Sequence, residues 1–346
     1  MSKIAANLVP TSSSAVEGIT DPDTFANLLK AAGDPLRLQI LRVLNNNAFG
    51  ALELSEIFDM RQNAMSHHLK LLSRASLVVS RREGTHIFYR RNPQQIQYRS
   101  FYDELFSIVN DLELPVDIQR KLDAIQNVRA AASKAFFRQN ADKFREQQDL
   151  IASFPQYGEA VLNTLDNYVL RGRNVLEVGP GQGDLLQGLC ARFQQVYALD
   201  NAEEMLNQAK ATARQQALGK VEFILGDTAS PKLDQLGFDV ITVNMVLHHT
   251  PAPATIISDL AQRLTKNGLL LITELCEHDQ DWARDACGDL WLGFDPKDLS
   301  TWAKQSGLQE VGSEILALKN GFSIQIRQFS RSYIPLDGNA TGATTQ

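Results

Sequence analysis

VLEVGPGQGDLL, residues Val175–Leu186, is the stretch that decides how this chain is read. Its first four residues are mostly apolar and do not alternate with polar ones, as in a strand covered on both faces. Gly179, Gly181 and Gly183 follow, and glycine lets the backbone turn sharply and lets a ligand approach the main chain closely. The run then turns helical at Leu185. Strand, Gly-rich turn and helix in that order open a Rossmann-like α/β domain.

A bare Gly-x-Gly is weak evidence, so the weight falls on what comes downstream. Val196–Leu199 is a second strand closed by Asp200, about 20 residues on, where a carboxylate suits a pair of ribose hydroxyls. A helix at roughly 202–217 leads to Val221–Leu225 and then Gly226-Asp227-Thr228. Phe238–Val243 is a fourth strand ending in Asn244, and Leu269–Thr273 a fifth. The turn is Gly-Pro-Gly-Gln-Gly rather than the G-x-G-x-x-G of nicotinamide binders. Asp184 beside the helix N-terminus would repel a pyrophosphate.

Upstream, residues 22–112 form a different module. Asp34 and Pro35 suit the N-cap and first position of a helix that carries Leu36, Ile40, Val43 and Leu44 on one face. A short helix, Glu53–Phe58, and the turn Asp59-Met60-Arg61 lead into a second helix, Gln62–Ser73. Met65, Leu69 and Leu72 share one face of it. Asn63, Ser66, His67 and Lys70 share the other, with Gln62 at the start, free to meet base edges. Two strand-like runs, Leu77–Ser80 and Thr85–Arg90, flank Arg81-Arg82-Glu83-Gly84, a hairpin tip suited to phosphates or a minor groove. Residues 22–100 hold 11 Lys/Arg against 6 Asp/Glu, a net of +5, which leaves −11 for the remainder of a chain whose formal total is −6. An anionic partner is therefore expected for this module alone. His67 and His68 are adjacent on a helix and point about 100° apart, so they do not share a metal.

Residues 113–150 read as a charged helical connector, closed off from the first module by Pro115 and without a Gly/Ser linker. Phe136, Phe137 and Phe144 are its large apolar groups. They pack on the following domain, cover its ligand as a lid, or make a dimer contact. The polar ends, 1–21 and 333–346, are expected to be disordered.

KAAGDPLRLQILRVL (30–44), MSHHLKLLSRASLV (65–78) and SRREGTHIFYR (80–90) resemble the ArsR family of winged-helix transcriptional regulators. The resemblance implies a homodimer that places two recognition helices in successive major grooves of double-stranded operator DNA. Many metal-sensing members carry Cys-x-Cys where this chain has Gly50-Ala51-Leu52, so metal sensing is not expected of this domain. VLEVGPGQGDLL, VYALDNAEEMLNQAK (196–210), FILGDT (223–228) and FDVITVNMVLHHT (238–250) resemble the successive motifs of class I S-adenosylmethionine-dependent methyltransferases. That resemblance covers about 140–332, with the domain itself at 151–332. It implies a seven-stranded sheet with a C-terminal reversed hairpin from Leu308–Leu318 and Phe322–Phe329. It also implies that Gly179, Gly181 and Gly183 line the methionine part of the cofactor and that Glu177 anchors its amino group. Asp200, with Asn201 beside it, takes the ribose hydroxyls. Asp227 takes the adenine amino group, Thr228 lies beside the ring, and Asn244 ends near the sulfonium.

Methyl transfer requires alignment and, for a weak nucleophile, a base. His248 and His249 are the candidates for that base; the alternative is a loop that only shapes the pocket. Met-Val-Leu after Asn244 is not the Asn-Pro-Pro-Tyr of exocyclic base methylases, which argues against DNA methylation. Cys276 and Cys287 do not match the cysteine pattern of arsenite methyltransferases, and burial is their default; no metal site is expected. Trp291 and Phe294 form either a substrate wall or core. Three cysteines, no apolar leader and no run approaching the roughly 18 apolar residues of a membrane span place the chain in the cytosol. The expectation is a multidomain α/β protein, an N-terminal winged helix-turn-helix with a C-terminal Rossmann-like methyltransferase fold. It would act as a regulator responsive to S-adenosylmethionine or S-adenosylhomocysteine. The alternative is an active small-molecule methyltransferase that is autoregulated through DNA.

Overall fold

The computed structural model describes residues 21–45, 47–83, 86–92, 98–141, 143–167 and 173–331. The two ends expected to be disordered lie outside the described residues, apart from Asp21. The chain divides into two compact units: the first holds the described residues up to 45, 49–81 and from 89 to Pro115, and the second holds 47–48, the described residues of 82–88 and those from Val116 on. From Val116 on, the connector lies with the second unit.

In the first unit, α1 (Pro22–Ala32) begins under Asp21, whose carboxylate accepts the N–H groups of Asp23 and Thr24. Helix α2 (Pro35–Val43) begins under Asp34, which accepts the Arg37 N–H at 3.0 Å, with a proline at the position that lacks a helical partner. Strand β1 (Phe49–Gly50) leads into α3 (Ala51–Ile57) and α4 (Gln62–Arg74). The α3–α4 turn passes through Asp59 at φ 51°, a left-handed conformation that Asp tolerates better than most residues. Met65, Leu69 and Leu72 of α4 are wholly buried with Ile40, Leu41 and Leu54. Each such side chain contributes about 1.5–3 kcal/mol of burial, which locks α4 with its polar face outward. Strands β2 (Val78–Glu83) and β3 (His86–Arg91) complete a small sheet in the order β1-β3-β2, and α5 (Arg99–Asn110) closes the unit. Arg81 and Arg82 thus lie in β2, not in the hairpin turn, because the strand runs on to Glu83. Gly84 and Thr85 lie outside the described residues.

The second unit opens with three helices: α6 (Val116–Asn140), α7 (Phe144–Ile151) and α8 (Phe154–Asn167). Then come β4 (Asn174–Val178), α9 (Leu186–Arg192), β5 (Gln195–Asp200), α10 (Glu203–Gln215), β6 (Val221–Leu225), β7 (Phe238–Asn244) and α11 (Pro253–Arg263). Strand β8 (Leu264–Leu275), α12 (Trp282–Cys287), α13 (Pro296–Gln305), β9 (Gln309–Ala317) and β10 (Ser323–Ser330) follow. The seven strands pair in the order β6-β5-β4-β7-β8-β10-β9. The first five are parallel, while β10 runs antiparallel to both β8 and β9, which is the reversed hairpin expected from sequence. Alternate residues feed two cores. Val175, Val196, Val240, Leu269 and Leu271 pack on one face, and Leu176, Leu199, Ile241, Leu270 and Ile272 on the other. This two-sided cover is why the parallel strands read as continuous apolar runs. Among the described residues, no helix is long and apolar enough to cross a membrane.

Candidate functional site

Strand β4 has β5 on one side and β7 on the other. The connections that leave its end and theirs diverge there, which opens a crevice at the carboxyl ends of the strands. A cavity of about 490 Å³ occupies it, within the ~300–1,000 Å³ typical of small-molecule sites. The strand ends place Glu177, Gly179, Gly181, Asp200, Asn201, Asp227, Thr228 and Asn244 on its wall.

Two of these side chains carry polar atoms without protein partners. Glu177 is 3% exposed, and its Oε2 accepts no hydrogen bond. Burial, reinforced by the charge of Asp184, pushes its carboxyl up to about 8. Asn244 has both its Nδ2 and Oδ1 buried without a partner. Buried polar atoms are nearly always paired, so this pair points to a polar ligand. Asp200 accepts the Ala202 N–H at 2.8 Å, and burial raises it to about 6 against the pull of the Ala202 and Asn201 amides. Thr228 donates its hydroxyl to Asp259 at 2.7 Å, so α11 fixes its rotamer. Asp227 is exposed and accepts the Ala229 N–H at 3.1 Å, which folds the loop after β6 into a turn.

The glycines divide by role. Gly179 sits at φ 64°, and a Cβ there would fall 2.5 Å from Val246 Cγ2. Gly183 is placed otherwise than its expected role. It does not line the cavity, and at φ 82° a Cβ would come within 3.3 Å of the Ala209 Cα, so it serves the approach of the turn to α10. Asp184 is paired with Arg145 of α7, so the charge beside the Gly-rich turn is partly neutralised.

His248 and His249 form one 3₁₀ turn after β7, yet only His249 lines the cavity. His248 is 2% exposed and its Nδ1 is bonded to Glu274. Burial alone would lower its pKa, but the charges of Glu274 and Asp289 outweigh that and raise it to about 9. His249 is lowered by burial and by the neighbouring His248. Neither residue was distinguishable from the other in sequence, and Asp289 gave no signal at all. Among the described residues, His248, His249 and Asp289 bring ligand atoms within 4.8 Å of one another.

Helix α6 supplies wall residues that sequence reading missed, among them Gln126, Asn127, Ala130 and Ser133. Phe137 also lines the cavity, meets the His249 ring edge-to-face at 4.9 Å and packs with Ala202 and Met205, so of the readings open for the phenylalanines it packs on the following domain. The Phe136 ring packs over Gly288, while the Phe144 side chain lies outside the described set. Phe294 is core. Trp291 is half-buried, donates its indole N–H to the Thr250 carbonyl at 2.8 Å, and stays off the cavity wall. Burial raises the thiols of Cys276 and Cys287, so neither is a ready thiolate.

In the first unit, Gln62, Asn63, Ser66, His67 and Lys70 are all exposed along α4. His68 is half-buried, Arg81 half-buried and Arg82 exposed. These five residues share the exposed face of α4, opposite Met65, Leu69 and Leu72, and Arg81 and Arg82 lie in β2.

A family described as a methyltransferase domain matches residues 170–309, and one described as a helix-turn-helix domain matches residues 32–81. A ubiquinone biosynthesis O-methyltransferase of Coxiella burnetii (strain Dugway 5J108-111) is 27% identical over 181 residues, covering 48% of this chain and 76% of the relative. One from Acinetobacter baylyi is 31% identical over 137 residues, covering 39% and 57%. Among solved structures, magnesium protoporphyrin IX methyltransferase from Synechocystis PCC 6803 with bound SAH is similar at 17% identity and a TM-score of 0.42, covering 68% of this chain and 95% of that one. The chain thus joins a helix-turn-helix domain to a methyltransferase domain in a single polypeptide.

Proposed function

We propose that the chain is a cytosolic, homodimeric DNA-binding regulator of the ArsR type, whose methyltransferase domain binds S-adenosylmethionine or S-adenosylhomocysteine and transmits its occupancy to the DNA-binding module. The observation that carries this reading is the role of α6. The helix that follows the first unit in the chain is itself a wall of the cavity, through Ser133 and Phe137. A ligand in the cavity therefore bears directly on the segment that leads from the helix-turn-helix.

The residues present fit the cofactor. Its ammonium would satisfy the orphaned Glu177 Oε2, Asp200 would accept from the ribose hydroxyls, and Asp227 and Thr228 would hold the adenine end. When bound, S-adenosylmethionine supplies an electrophilic methyl group on a sulfonium. Asn244 would orient groups at that end, and Phe137 would exclude water. The similarity to O-methyltransferases supports a second reading, an enzyme that methylates a small molecule and regulates its own synthesis. His248 is already committed to Glu274, so of the two candidate histidines that reading leaves His249 as the base at the wall.

The test is reciprocity. A cofactor that changes operator affinity must have its own affinity changed by the same factor, typically about 5–150-fold. Cofactor affinity measured with and without saturating DNA from the chain's own promoter is expected to differ within that range. Identical values would separate the two modules energetically and favour the enzyme.

DNA binding itself is expected to weaken steeply with salt. Arg81→Ala with Arg82→Ala should lower the log–log salt slope by ~0.9 for each phosphate that the wing no longer neutralises. An unchanged slope in a fluorescence titration would remove the wing from the interface.

A further inference from the structure

The geometry points to a transition-metal site of the zinc type, built from His248, His249 and Asp289 at the wall of the cofactor cavity. Asp289 lies on the loop after α12, 2% exposed, and neither carboxylate oxygen accepts a hydrogen bond. A buried carboxylate in this state is costly unless a cation meets it. The two rings facing it are placed for that. His248 Nε2 is 3.8 Å and His249 Nδ1 3.5 Å from Asp289 Oδ1. These separations are long for hydrogen bonds. The 3.5 Å pair matches two ligands sharing one ion, since groups at about 2.0–2.1 Å on a tetrahedral centre stand roughly 3.4 Å apart, and with all three ligand atoms within 4.8 Å of one another an ion would draw the remaining pairs in.

The surroundings hold the three groups in place. Glu274 grips the far side of the His248 ring at Nδ1 and also accepts the His248 and Leu275 N–H groups, at 3.3 and 2.7 Å. That is the carboxylate–histidine arrangement which fixes a ring nitrogen toward a metal and raises its basicity. The backbone N–H groups of Leu290 and Trp291 both donate to the His248 carbonyl, at 2.8 and 3.0 Å, and clip the Asp289 loop against the histidine turn. Ser133 Oγ donates to the His249 carbonyl at 2.8 Å and fixes the backbone of that residue from α6, while the ring's Nδ1 stands 3.4 Å from the Gly288 carbonyl. Adjacent histidines on an α-helix diverge, but in this 3₁₀ turn the two ring centroids are only 3.9 Å apart.

Two imidazoles and one carboxylate suit Zn²⁺ and its borderline neighbours better than Mg²⁺ or Ca²⁺, which favour oxygen. Three protein ligands leave a fourth position for water or for an oxygen of a small molecule, the pattern of an open zinc site. Because His249 also lines the cavity, the ion would stand where the cofactor cavity meets α6.

Zinc titrated into the full-length protein against a chromophoric chelator is expected to fill one tight site per chain. Co²⁺ in its place should give four-coordinate visible bands without thiolate charge transfer, which sets the site apart from the cysteines. Glu274→Gln keeps the ligands but loosens the His248 ring, and should weaken zinc about 10–100-fold. Asp289→Asn and His249→Gln should weaken it further, and zinc should no longer raise their thermal midpoints. Circular dichroism without metal checks that each variant is folded, and either ligand variant alone suffices if the other is not. Absence of stoichiometric binding to the wild type, a thiolate cobalt spectrum, or affinity unchanged in a folded ligand variant would overturn the assignment.

Discussion

Replacing Asp200 by Ala is expected to abolish cofactor binding while leaving the helix-turn-helix able to hold DNA. The carboxylate stands at the end of β5, on the cavity wall, with the Ala202 N–H fixing its orientation. A charged acceptor serving two hydroxyls loses about 1.5–3 kcal/mol for each, or roughly 10²–10⁴-fold in affinity for the pair. Isothermal titration with S-adenosylhomocysteine reads this directly. Wild-type affinity in Asp200→Ala would displace the ribose from this strand end and with it the orientation of the whole cofactor.

Cofactor affinity is expected to climb with pH until about 8, driven by Glu177. Its carboxyl is raised to about 8 by burial, so in the free protein it holds a proton at neutral pH. Receiving an ammonium requires the charged form. Below that value each binding event must therefore release a proton, and affinity should rise by about tenfold per pH unit. Above about 8 the dependence flattens. Glu177→Gln should bind more weakly at pH 8 and lose the slope. Affinity independent of pH between 6 and 8 in the wild type would refute the role. Stability of the unliganded protein follows the same sign. A folded-state pKa above the unfolded value favours the protonated form, so the contribution is full below the ordinary carboxylate range. It is lost as pH rises toward about 8. Asp200, raised to about 6, acts in the same direction over a narrower window.

What could be read from the residues is what local chemistry determines. Strands buried on both faces show as apolar runs, and the acid that closes the second of them, Asp200, falls at its carboxyl end; Glu177, inside β4, and Asp227, past the end of β6, are marked by the resemblance to methyltransferase motifs. The α4 faces separated because Met65, Leu69 and Leu72 repeat at helical spacing. What could not be read depends on distant packing. Asp289 is some forty residues from the histidines it faces, and only the β8–α12 excursion brings it back. His248 and His249 are identical side chains with opposite surroundings, set by Glu274 on one side and the cavity on the other. Helix α6 is polar and Ala-rich, with little to mark the face that becomes a wall. Gly183 resembles its neighbours in sequence, yet its space is taken by α10 and not by the cavity.

The insertion of β10 between β8 and β9 also sets an order of events during synthesis. Leu269–Leu275 of β8 pair on one side with residues that emerge some fifty positions later, Ile324–Ser330. A nascent chain that has already assembled its five parallel strands therefore presents a long apolar edge, open to pairing with another chain. Strand β9 cannot cover that edge, because its only partner in the sheet is β10. Translation arrested before Ser323 would leave a nearly complete nucleotide-type fold that is prone to associate, so the hazard of aggregation is concentrated in the interval before β10 leaves the ribosome.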